Sequence, residues 1–271
     1  MQLRLRQPVL VARSKAETVR DLAAVLDLHP VHGSGDLSPY GLPAKGPMSE
    51  GGRKVLERLG VENLLFAAGS DIMEVMFPTR PDGATVGFMD RRGGDTGYMI
   101  VLQTDDVAKY KSLAENEGVR ITHEGHFPNY HDIHLHPADC GGALLSMARQ
   151  LPENVPDGPW YPGGNWQDQP ASRAVSGITG VELCSPDPQA LAERWGRLLG
   201  LPVAREGNAF TIALEDGVLR FAPAEGGQKE GFYGLDLKVA DRAFIEAGAK
   251  ARGISIDNDT LTLVGMKIRL V

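Results

Sequence analysis

The stretch GVELCSPDPQALAERWGRLLGLPV, residues 180–203, decides how this chain is read. It opens as a short strand, turns through polar residues, runs as an amphipathic helix, and ends at the entry to another strand. Asp187 or Ser185 can cap the helix, with Pro188 in its first turn, where a missing N–H costs nothing. The same order occurs at PVLVARSKAETVRDLAAVLDL (8–28), where Val19, Leu22, Ala23, Val25 and Leu26 fall at helical spacing. It recurs at GYMIVLQTDDVAKYKSLAENEGVRIT (97–122), where Thr104 or Asp105 opens the helix, and at GFYGLDLKVADRAFIEAGAKARGISI (231–256). Short strands follow each copy: NLLFAAGS and DIMEVMFP, NYHDIHLHP and GGALLSM, NAFTIAL and GVLRFAPA, TLTLV and MKIRLV. The chain therefore reads as four copies of strand–helix–strand–strand–strand, an α+β protein of βαβββ modules.

A single module leaves one face and one edge of its sheet uncovered, so the modules should pair. Pairing predicts two domains, 1–150 and 173–271, joined by the Pro/Gly/Trp-rich linker 151–172. Trp160, Tyr161 and Trp166 give that linker apolar rings to pack on a neighbouring surface. A second irregular stretch, HGSGDLSPYGLPAKGPMSEGG (32–52), interrupts the first module and reads as a lid, a binding loop or an oligomer contact.

Composition narrows the function classes. A net charge of −7 over 271 residues gives no basic surface for nucleic acid. Mean hydropathy of −0.19, with no uninterrupted apolar run of spanning length, predicts a soluble, cytoplasmic protein without a membrane partner. The N-terminal apolar run breaks at Arg13, too early for a signal peptide. Cys140 and Cys184 read as two unrelated buried thiols. No Gly-rich nucleotide loop follows a strand and no G-x-S-x-G elbow is present, so nucleotide and serine-hydrolase readings have no support.

Tandem modules of this pattern, with VELCSPDPQALAERWGRLLGLPV and the hairpin HPADCGGALLSM as their most specific parts, resemble the vicinal oxygen chelate superfamily. That superfamily includes glyoxalase I, methylmalonyl-CoA epimerase, extradiol dioxygenases and the bleomycin-resistance proteins. The resemblance implies two glyoxalase-like domains with half-barrel mixed sheets, a small-molecule ligand and a homodimer. It also implies metal slots on the first and last strand of each module. In the first module these fall on Gln7 (or Pro8) and Glu74; in the second, on Tyr98 or Met99 and on Ser146. The later modules offer Gly180, Gly234 and Arg220 there, and the two histidines and carboxylate of an extradiol dioxygenase are missing.

Five of the seven histidines crowd into THEGHFPNYHDIHLHP. If HDIHLHP is one strand, His134 and His136 share a face with Asp132. Such groups serve as acid–base or hydrogen-bonding residues, as metal ligands together with Glu74, or as structural residues, with His136 fixing the hairpin and His123 and His126 exposed. Glu74, among Met73, Val75, Met76 and Phe77, is a desolvated base if it faces inward and a solvent-facing edge residue if it does not.

The leading reading is a glyoxalase-like small-molecule protein with its cavity in the N-terminal domain, catalysing a metal-independent isomerase- or lyase-type step on a carbonyl or aromatic compound. Glu74, His134 and His136 are the catalytic candidates, and Gln7, Tyr98, Asp132 and Ser146 the substrate contacts. No cofactor is expected, with a divalent metal on Glu74, His134 and His136 as the alternative. The rivals are a non-catalytic sequestering protein and a metal lyase or epimerase with a rearranged ligand set.

Overall fold

The computed structural model describes residues 3–43 and 50–271. The first module comprises β1 (Arg4–Val11), α1 (Lys15–Leu26), β2 (Pro30–Gly33), α2 (Glu50–Leu59), β3 (Val61–Ala68) and β4 (Asp71–Pro78). After α3 (Ala84–Arg92) comes the second: β5 (Thr96–Gln103), α4 (Val107–Asn116), β6 (Ile121–Phe127), β7 (Tyr130–Leu135) and β8 (Leu144–Gln150). The third is β9 (Val175–Ser185), α5 (Pro188–Leu199), β10 (Ala204–Glu206), β11 (Ala209–Ala213) and β12 (Val218–Pro223). The fourth is β13 (Gly231–Val239), α6 (Arg242–Ala251), β14 (Thr260–Leu263) and β15 (Met266–Leu270).

The strands form two mixed sheets, ordered β2-β3-β4-β1-β5-β8-β7-β6 and β10-β11-β12-β9-β13-β15-β14. Within modules the register has one theme. The last strand returns parallel to the first, as β4 does to β1 (Val9 opposite Glu74) and β8 to β5 (Val101 opposite Ser146). A parallel return needs a crossover, and the helix of each module supplies it. The fourth copy departs from the expected pattern: between α6 and β14 only Asp257 pairs, as an isolated bridge to Thr260.

The helix caps follow from short polar side chains. Asp187 caps α5, its Oδ1 accepting from the Ala190 N–H at 3.0 Å, with Pro188 at the first helical position. In α4 the cap is Asp106, which accepts from Lys109 at 2.9 Å, rather than Thr104 or Asp105. Thr104 sits two residues back, its hydroxyl accepting from the Asp106 N–H at 3.1 Å.

By compactness the chain divides into two discontinuous units: Met1–Pro8 with Gly97–Tyr161 and Thr179–Asp236, and Val9–Thr96 with Pro162–Ile178 and Leu237–Val271. In the first unit, Trp195 is fully buried and its Nε1 donates to the Cys140 carbonyl at 3.3 Å. In the second, α1 packs against α6, and Gly248 lies so close to the Ala24 carbonyl that a Cβ would approach it to 2.0 Å. Of the irregular stretch 32–52, the described part contains the end of β2, a turn of 3-10 helix at Ser38–Tyr40 and the start of α2; 44–49 lie outside the described residues.

Candidate functional site

The second module builds its site from hairpin register. A turn at Pro128-Asn129 sets Phe127 opposite Tyr130, Gly125 opposite Asp132, and His123 opposite His134. Across the next ladder Asp132 faces Ala148 and His134 faces Ser146. Directly opposed residues share a face, so His123, His134 and Ser146 form one row, and Gly125, Asp132 and Ala148 the next. The alternate residues Ile133, Leu135, Leu145 and Met147 are buried on the other face, which packs against α4.

Asp132 is only 5% exposed, and its Oδ2 lies 2.8 Å from His134 Nε2. Its Oδ1 lies 3.6 Å from His123 Nε2 and accepts no hydrogen bond. The imidazole rings are 4.7 Å apart at their centroids. Burial pushes the Asp132 carboxyl up, but the two flanking imidazoles outweigh it and hold the group at about 2. Gly125 makes the cluster possible: a Cβ there would stand 2.2 Å from Asp132 Oδ1 and 2.8 Å from His123 Nε2. Ser146, opposite His134, is fully buried, and its hydroxyl has no partner.

His136 does not join this row. Strand β7 stops at Leu135, and Pro137 turns the chain into 3-10 helix, which His136 caps by accepting from the Ala138 N–H at 3.1 Å. The same Nδ1 lies 3.1 Å from an Arg120 nitrogen, and Arg120 grips Asp139 with two bonds of 2.8 Å. That bonding, the first cause, holds the Asp139 carboxyl well below the usual carboxylate range. The expected strand alternation of His134 and His136 is thus broken by the proline corner.

Tyr98 also points elsewhere. Met99 and Val101 pair with Leu144 and Ser146, so the half-buried Tyr98 is on the opposite side of β5, where burial raises its phenol. Gln7 is buried with its Oε1 accepting from Trp160 Nε1 at 2.7 Å. Trp160 packs edge-on against Tyr130 at 5.2 Å, and Tyr161 stacks on Phe127 at 5.8 Å. These linker rings cover the end of the face beyond Asp132. Cys140 is buried in the hairpin corner and its thiol is pushed up to about 12 by that burial, an inert group.

In the other unit, Glu74 is 8% exposed, so it faces inward. Its Oε1 accepts from Asn63 Nδ2 at 2.8 Å, while Asn63 Oδ1 has no partner. Through the ladders the row runs His32, Leu65, Glu74, Val9. His32 is buried against Gly164, and burial lowers its pKa.

Among the described residues, the group of three side chains placed to hold a metal ion is His123, Asp132 and His134. Glu74 and His136, the other two members of the expected ligand set, are not in it. His123 escaped the sequence reading, although the turn at Pro128-Asn129 contains the signal: pairing 127 with 130 places 123 opposite 134.

No protein-family model matches the sequence, and no curated protein matches it either. Solved structures do. A hypothetical protein from Staphylococcus aureus superposes with a TM-score of 0.63 at 11% identity, covering 99% of both chains. A mutant 4-hydroxymandelate synthase from Streptomyces coelicolor gives 0.63 at 14% identity, over 93% of this chain and 75% of that one. At such identities the likeness concerns architecture, and it agrees with the tandem modules and parallel returns described above: the chain has the vicinal oxygen chelate fold.

Proposed function

We propose that this protein binds a small carbonyl compound and that Glu74 removes a proton beside the carbonyl, as in an isomerase- or lyase-type step. The observation that carries this reading is the inward, buried position of Glu74 with one carboxylate oxygen held by Asn63. A base must be partly desolvated to be reactive and held still to be selective, and this arrangement does both. Asn63 orients the carboxylate through its amide, which leaves its own carbonyl oxygen open to a donor on the substrate. Among the described residues no helix is long and apolar enough to cross a membrane, in keeping with a ligand taken from solution.

The test is hydrogen–deuterium exchange on the ligand. A panel of 2-oxo acids, 2-substituted thioesters and aromatic ketones is incubated with the protein in D2O, and loss of the proton next to the carbonyl is followed by NMR. Exchange that requires the protein and disappears in Glu74→Gln supports the base. Exchange unchanged in Glu74→Gln overturns it. Binding without exchange in wild type and Glu74→Ala alike identifies a sequestering protein instead.

A further inference from the structure

We propose that the β6–β7 hairpin is a divalent transition-metal site whose ligands are His123 Nε2, His134 Nε2 and the Asp132 carboxylate. The site goes beyond the role given to Glu74 and does not depend on it.

The donor atoms lie within 4.8 Å of one another. Ligand bonds of roughly 2.0–2.2 Å at tetrahedral angles hold donors about 3.3–3.6 Å apart, so side-chain rotations that close the widest gap by roughly 1 Å suffice. Two imidazole nitrogens with one carboxylate oxygen form a set suited to zinc or ferrous-type ions rather than to magnesium or calcium, which prefer all-oxygen shells. Both imidazoles are partly open, at 29% and 24% side-chain exposure, which gives an ion access from one side.

The carboxylate makes the stronger argument. Asp132 is 95% removed from solvent, yet Oδ1 accepts no hydrogen bond, and a buried carboxylate oxygen with nothing to accept is costly. A cation between Oδ1 and His123 Nε2 supplies that missing partner. Gly125, directly beneath both atoms, has no side chain to compete for the space. None of the site's three ligands is one of the slots the superfamily resemblance implies, Gln7, Glu74, Tyr98 or Met99, and Ser146, the last of which lies directly across from His134. The ligands come from the two strands of one hairpin at the end of the sheet, so register alone assembles the site.

The experiment uses full-length protein stripped with a chelator and dialysed. Zinc chloride is titrated by calorimetry, and cobalt(II) is followed by its visible absorption, which reports nitrogen and oxygen coordination directly. The expected result is one equivalent of zinc per chain, with magnesium giving no heat. His134→Ala, His123→Ala and Asp132→Asn should each weaken zinc by more than the roughly 100-fold that loss of an outer-shell partner costs. Asp132→Asn is nearly isosteric, so it keeps the test meaningful should an alanine variant fold poorly. His126→Ala, on the same hairpin but outside the cluster, and Glu74→Gln should bind as wild type, which separates this result from the fate of the proposed base. Absence of zinc binding, or binding unchanged in both His134→Ala and Asp132→Asn, overturns the site and leaves a metal-free imidazole–carboxylate–imidazole cluster.

Discussion

On the β6–β7–β8 face one buried carboxylate is flanked by two imidazoles, whereas on the β9–β12 face, continued by β13, two carboxylates share one guanidinium. Arg220, paired across from Glu182, places Nη2 3.1 Å from Asp236 Oδ2 and Nη1 3.7 Å from Glu182 Oε2. All three side chains are largely buried. Gly180, in an implied metal slot, has no Cβ to collide with Asp236, which a side chain would meet at 2.6 Å. One face therefore carries its own cation, held in place by the fold. The other assembles donors around a carboxylate whose second oxygen is left without a hydrogen bond. Where the positive charge is built in, no ion is called for; where it is missing, the geometry favours taking one up.

The largest test of this contrast is removal of the built-in cation. Arg220→Met leaves Glu182 and Asp236 buried without it, and breaking a buried pair in this way costs roughly 3–5 kcal/mol. Urea unfolding should show that loss, with Arg220→Lys retaining part of the stability because a point charge replaces the fork. A loss below about 1 kcal/mol would mean that the two carboxylates are neutralised some other way and that the contrast is wrong.

Next in size is Gly125→Ala. Its methyl would stand 2.2 Å from Asp132 Oδ1, so the carboxylate and His123 must move apart. Overpacking of this kind costs roughly 1–3 kcal/mol, and zinc binding should fall with it. If thermal stability and zinc affinity both survive, the cluster is not held by close packing at Gly125.

Much of this was legible in the sequence, and the failures have physical causes. Helix periodicity, capping and strand pattern gave the modules and their order, because those signals are local. The fold class follows from repetition, and in the third copy, 180–203, helix α5 falls where expected, while β9 starts earlier, at Val175, and β10 just beyond, at Ala204. The site was only half legible. Asp132 and His134 are found by alternation along one strand, but His123 comes from the partner strand and needs the turn register. The expected face shared by His134 and His136 fails because the proline after His136 ends the strand, a backbone restriction that side-chain alternation ignores, whereas the alternative of His136 fixing the hairpin agrees with its cap on Ala138. The face of Glu74 could not be read, since a strand buried on both sides shows no polar alternation.

A smaller effect tests what happens to an imidazole buried without a hydrogen-bonded carboxylate. His32, in the row that contains Leu65 and Glu74, is 8% exposed and has its pKa lowered from 6.5 by burial. Between that lowered value and 6.5 the unfolded chain binds the proton and the folded one does not, so stability rises with pH across this window. It is fully present above 6.5 and is lost as the pH falls below it. Melting temperatures at pH 7.5 and 5.5 should therefore differ less in His32→Gln than in wild type; an unchanged difference would assign the acid sensitivity to other groups.

The smallest expected effect is at Ser146, and it bears most directly on the two faces. Its hydroxyl is fully buried without a partner, directly across from His134. Deleting a polar atom that satisfies nothing costs no hydrogen bond, so Ser146→Ala in the stripped protein should change stability by less than about 1 kcal/mol, in either direction. In the zinc-loaded protein the same hydroxyl can hydrogen-bond water on the ion, and the variant should then weaken zinc by roughly 10-fold. A clear loss of stability without zinc would show that Ser146 already has a bonded water. The polar row on the β6–β7–β8 face would then be satisfied by solvent, as the Arg220 face is by its guanidinium.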